Sequence, residues 1–140
     1  MKLVIDTNVL VSAFLWKGVP NQLIELARDR ACQFFTCRLL LEELRDVLQR
    51  PKLAKFVQAT GLTAEQMVVN YQKLVTLKTA HQLATQVSRD IDDDAVLACA
   101  LAAKADLIVS GDEDLLVLQV FQGIRIVSAA QAIEMVIKIR

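Results

Sequence analysis

The sequence holds a single histidine, His81, which excludes any zinc site built on several histidines. Its three cysteines, Cys32, Cys37 and Cys99, form no CxxC pair. An odd count without that spacing reads as reduced thiols packed in the core of a cytosolic protein. With only 4 Gly and 2 Pro, there is no linker, repeat or low-complexity tract. An excess of either charge is also missing. Sixteen Lys+Arg balance 16 Asp+Glu, so any basic footprint for a nucleic acid has to be local. The longest strictly apolar run, Ala95–Ala103, falls far short of the ~20 residues that span a bilayer. Asp6 interrupts the apolar stretch that a signal peptide would need. No membrane association and a cytoplasmic location are therefore expected.

What is present is a hydrophobic fraction of 54% in 140 residues, enough for one domain, 1–140, with a real core. Four short apolar runs rich in β-branched and aromatic residues read as strands: Lys2–Ile5, Gln33–Thr36, Asp106–Ser110 and Gly123–Val127. Helical patterns lie between and after them, at Arg38–Arg50, Thr63–Leu77, Ala95–Ala103 and Ser128–Ile137. Capping-box spacing marks three starts, Thr63-x-x-Gln66, Ser110-x-x-Glu113 and Ser128-x-x-Gln131. The stretch Lys78–Arg89 is compatible with helix, loop or an extra edge strand. Strands alternating with helices imply an α/β domain, a three-layer α/β/α arrangement around a parallel sheet of four or five strands.

In "KLVIDTNVL" an aspartate, Asp6, arrives where a buried strand should continue. A carboxylate at that depth is costly unless it is paired, hydrogen-bonded or bound to metal. Open parallel sheets bind ligands beyond the carboxyl ends of their strands, and several acids collect there. Asp6 ends the first strand, and Asp112 follows the strand ending near Ser110. The helix led by Asp94 begins at the same edge, as does Arg38–Arg50, which carries Glu43.

At about 100° per residue, Glu43 flanks the apolar arc of Leu40, Leu41, Leu44, Val47 and Leu48, whereas Glu42 faces solvent. Asp94 shares a face with Leu97, Ala98 and Leu101, and Asp92 and Asp93 point elsewhere or cap the helix. Gathering Asp6, Glu43, Asp94 and Asp112 would be strongly repulsive without a cation. A hard divalent ion, Mg²⁺ or Mn²⁺, suits such an oxygen cluster and supports displacement at phosphorus. Each acid also has a plainer role available. Asp6 can cap the next helix, Asp92, Asp93 and Asp112 can sit at helix N-termini, and Glu43 can be a surface acid.

The blocks "IDTNVLVSAFLW", "LLLEELRDVLQRPKL" and "DIDDDAVLACALAAKADLIVSGDEDLL" together resemble the PIN-domain family of metal-dependent single-strand ribonucleases. The resemblance is strongest to the branch described as toxins of bacterial or archaeal toxin–antitoxin systems. It implies an acidic quartet of Asp6, Glu43, Asp94 and Asp112, with Asp114 auxiliary and Asn8 and Ser110 as supporting polar groups. Asp93 replaces Asp94 if the helix starts one residue earlier.

The implied activity is endoribonucleolytic, dependent on Mg²⁺ or Mn²⁺, with an RNA substrate and an antitoxin protein as partner. Arg38, Arg45, Arg50, Lys52 and Lys55 are candidates for phosphate contacts. A homodimer is expected both from the resemblance and from Met67, Val68, Tyr71, Leu74 and Val75, which together exceed what one small core is expected to bury. Two other readings remain: a phosphotransfer domain with Asp6 as nucleophile, which would need a lysine at the rim, and a catalytically silent PIN-like binding module.

Overall fold

The computed structural model describes residues 1–83, 85–88 and 91–139. One sheet organises the chain. Strands β1 (Lys2–Ile5), β2 (Gln33–Thr36), β3 (Thr76–Leu77), β4 (Leu107–Val109), β5 (Val120–Phe121) and β6 (Ile124–Val127) stand in the order β3-β2-β1-β4-β6-β5. All neighbours are parallel except the β5–β6 pair. The sheet thus has six strands, not four or five, because β3 and β5 add two-residue edges. Strands that short carry no periodicity to detect. Lys2–Ile5 and Gln33–Thr36 have their expected limits, and the other two expected strands are each shorter.

Among the described residues eight α-helices flank the sheet: α1 (Thr7–Leu15), α2 (Val19–Arg28), α3 (Arg38–Leu48), α4 (Ala54–Ala59), α5 (Ala64–Leu74), α6 (Ile91–Ala103), α7 (Glu113–Leu116) and α8 (Ala129–Lys138). Two cores result, because successive strand residues face opposite sides. Leu3, Ile5, Phe34, Leu107 and Val109 pack with α1, α2, α3, α5 and α8. Val4, Phe35, Ile108 and Ile126 pack with the buried residues of α6. Strands covered on both faces need near-continuous apolar runs, as seen here.

Thr63 and Ser128 form the expected capping boxes with Gln66 and Gln131. The third box does not form. Asp112 caps α7 instead, accepting from the Asp114 N–H, while the Ser110 hydroxyl is engaged elsewhere. The helix expected over Thr63–Leu77 ends at Leu74, and its last two residues become β3. Residues 78–83 and 85–88 form no regular element; Ala84 and Arg89 lie outside the described residues. Met67, Val68 and Tyr71 of α5 are buried in the domain's own core, and Leu74 and Val75 are partly buried against it. The apolar face that suggested a homodimer is therefore largely covered within one copy.

Candidate active site

Chain direction decides where the acids meet. β1 continues to β2 on one side, whereas β4 continues to β6 on the other. The β1–β4 junction is therefore a topological switch point, the place where open parallel sheets bind ligands, beyond the carboxyl ends of the strands. The register aligns Ile5 with Val109 and Val109 with Val127, so the central strands end at one level. Asp6 follows Ile5, and its N–H extends the ladder by donating to the Val109 carbonyl at 2.9 Å.

Asp6 occupies the N-cap position of α1, yet its side chain makes no capping hydrogen bond. Its carbonyl alone receives the first helical N–H groups, from Val9 and Leu10. The carboxylate is buried, at 7% exposure, and points to other partners. Ser110, fully buried at the end of β4, donates its hydroxyl to Asp6 Oδ2 at 2.7 Å and accepts the Asp112 N–H at 3.0 Å. One hydroxyl thereby sets both the Asp6 carboxylate and the turn that carries Asp112.

The third acid is Asp93. Asp6, Asp93 and Asp112 each offer a carboxylate oxygen, and these atoms lie within 4.8 Å of one another. Asp93 is 5% exposed. Asp94, placed in the quartet by the sequence with Asp93 as its alternative, is engaged differently. Its Oδ2 accepts the Val87 N–H at 2.9 Å and its Oδ1 the Ser88 N–H at 2.7 Å. It thus fixes the segment before α6. The Ser88 hydroxyl in turn donates to Asp93 Oδ2 at 3.2 Å. The helix also starts earlier than expected: α6 begins at Ile91 and not near Asp94, which moves Asp92 and Asp93 from the cap into the helix. Ser88 was not singled out in the sequence, because it lies in a stretch without readable periodicity.

Glu43 is half-buried on α3, and Glu42 is exposed and paired with Arg38 at 3.1 Å, as the helical phase required. Glu43 lies outside the three-acid group. Asn8 is exposed in the first turn of α1, and Asp114 is half-buried in the first turn of α7. At the root of α3, Cys99 of α6 hydrogen-bonds Cys37. That contact holds the Cys37 thiol down to about 6, pushes the Cys99 thiol up, and ties the helix bearing Glu43 to the helix bearing Asp93. Of the cations expected on RNA, Arg38 is paired with Glu42, and Arg45 is paired with Glu65 of α5 at 2.9 Å. Arg50 and Lys52 are exposed beyond the end of α3, about 15 Å along the helix from its first turn.

Three carboxylates this close repel one another unless positive charge is shared among them. Opposite ligands of an octahedral ion with bonds of ~2.0–2.1 Å stand about 4.2 Å apart. Donor atoms within 4.8 Å therefore fit one hard divalent ion with little movement. The donor set is all oxygen, which suits Mg²⁺ or Mn²⁺ over softer metals.

The sequence profile described as PIN domain matches residues 2–114, from the start of β1 to the turn carrying Asp112 and Asp114. The chain belongs to the PIN-domain family. Its fold is also similar to a chain of VapBC2 from Rickettsia felis, in the crystal structure of that protein bound to a DNA fragment from their promoter. The TM-score is 0.59 at 12% identity, over 90% of this chain and 97% of that one. At that identity the likeness is one of fold. No curated protein matches the sequence. PIN domains are nucleases, and the buried acidic group of this PIN domain is compatible with that chemistry. No helix among the described residues is long and apolar enough to cross a membrane.

Proposed function

We propose that this PIN domain is a metal-dependent endoribonuclease that cleaves single-stranded RNA and acts as the toxin of a toxin–antitoxin pair. The observation that carries the proposal is the convergence of Asp6, Asp93 and Asp112 at the β1–β4 switch point. These three would hold Mg²⁺ or Mn²⁺. Bound there, the ion would supply a Lewis acid that lowers the pKa of water and stabilises the departing oxygen.

The protein's own groups do the rest. Ser110 holds Asp6 in one orientation, and Asp94 and Ser88 do the same for Asp93. Glu43, at the flank of α3, would orient the attacking water and accept its proton. Asp6 and Asp93 are buried, so a flexible single strand would reach the ion more readily than a stiff duplex. The toxin assignment rests on the resemblance of the sequence blocks, and it calls for an antitoxin protein as partner. A homodimer is the assembly implied by that same resemblance; α5 no longer argues for it. The test is cleavage of a single-stranded oligoribonucleotide that stops in EDTA and returns with Mn²⁺ or Mg²⁺. Cleavage that persists in EDTA would refute the metal-dependent reading.

A further inference from the structure

The acidic crevice has a counterpart at the opposite edge of the sheet. The last turns of α2 and α5 and the first residues of β2 and β3 border an open recess of about 370 Å³, at which Arg28, Arg30 and Lys73 are solvent-exposed. That volume lies in the ~300–1,000 Å³ range of small-ligand clefts. Arg28, Arg30 and Lys73 line it with Gln33 and Thr76, over a wall that includes the buried Phe34. Among the described residues no Asp or Glu lines it. The two ion pairs described, Arg38–Glu42 and Arg45–Glu65, lie elsewhere, so none of these three cations has a carboxylate partner among the described residues.

Arg30 adds an observation from the backbone. It sits at φ 62, where the Arg30 N–H bonds the Ala27 carbonyl and the Ala31 N–H bonds the Leu26 carbonyl. This helix end normally places glycine at the left-handed position, because a Cβ is strained there. Lys104 ends α6 in the same way, so the strain alone does not mark a site; here it turns the chain so that Arg30 lines the recess. A cation near a helix C-terminus interacts favourably with the helix dipole. That effect alone does not require cations from two helices to face one acid-free recess.

We propose that this recess is a binding site for a phosphate group, separate from the acidic crevice. Guanidinium forks and an ammonium with no competing carboxylate suit a phosphate oxyanion. The phosphate could belong to a nucleic-acid backbone or to a free nucleotide.

The test uses the intact protein in EDTA, so that the acidic crevice repels anions and no cleavage is involved. Calorimetry with inorganic phosphate, AMP and a single-stranded oligoribonucleotide should show saturable binding of at least one probe. The affinity should drop at least tenfold in Arg28→Ala/Lys73→Ala. Oligonucleotide binding whose salt dependence weakens in that variant identifies the backbone as source; tight AMP binding with no oligonucleotide binding identifies a nucleotide. Arg30→Gly separates binding from folding: it should melt higher than the parent, because glycine relieves the left-handed strain, and yet bind the probe more weakly. No saturable binding of any probe, or equal affinity in parent and variants, would overturn the site.

Discussion

Ser110 is fully buried and uses its one hydroxyl twice, as donor to Asp6 and as acceptor from the Asp112 backbone. Groups that orient metal ligands commonly contribute 10- to 100-fold in metal affinity. Ser110→Ala is therefore expected to weaken Mn²⁺ binding by about that factor in a chain that still folds, with calorimetry as the measurement. Unchanged affinity would mean that Asp6 is oriented by other contacts. At this scale the sequence was partly legible. Asp6, Ser110 and Asp112 could be placed because each directly ends or follows a buried strand. Ser88 could not, since nothing in its surroundings shows a period.

At the scale of elements, legibility followed amphipathicity. Helix α3 has one apolar face, with Leu40, Leu41, Leu44, Val47 and Leu48 buried, so the phase of Glu42 and Glu43 could be read directly. Helix α6 is apolar nearly all round, with Val96, Leu97, Ala98, Cys99 and Ala100 all buried. Such a helix gives no reliable phase: the face shared with Leu97, Ala98 and Leu101 singled out Asp94, whereas the carboxylate that joins Asp6 and Asp112 is that of Asp93. Adjacent acids on α3 give a direct test. Glu43→Gln is expected to cut the cleavage rate by roughly 10²-fold or more if Glu43 positions the attacking water. Glu42→Gln should change it little, since an exposed ion pair such as Arg38–Glu42 contributes at most about 1 kcal/mol to stability and none to the crevice. Single-turnover kinetics on both variants decides this. Equal losses would indicate a general electrostatic effect in place of a positioned acid.

Over the whole molecule, the parallel topology does the electrostatic work. It carries acids from positions 6, 93 and 112 to one crevice, which the unfolded chain cannot do. A ligand that binds only the folded state stabilises it, by about 2.7 kcal/mol at a hundred times its Kd. Millimolar Mn²⁺ should therefore raise the melting temperature by several degrees. Asp6→Asn should melt higher than the parent without metal, because it removes like-charge repulsion, and should lose the rise with metal. An Asp6→Asn chain that melts lower without metal would make Asp6 a structural residue.

In the proposed site Asp93, with Asp6 and Asp112, would hold the ion, while Asp94 holds the chain that positions Asp93. Mn²⁺ binding followed by electron paramagnetic resonance on the parent, Asp93→Asn and Asp94→Asn tests this most directly. Saturable binding is expected in the parent. It should be lost in Asp93→Asn and retained at reduced affinity in Asp94→Asn. Full binding in Asp93→Asn together with loss in Asp94→Asn would make Asp94 the ligand, and no binding in the parent would rule out a metal site.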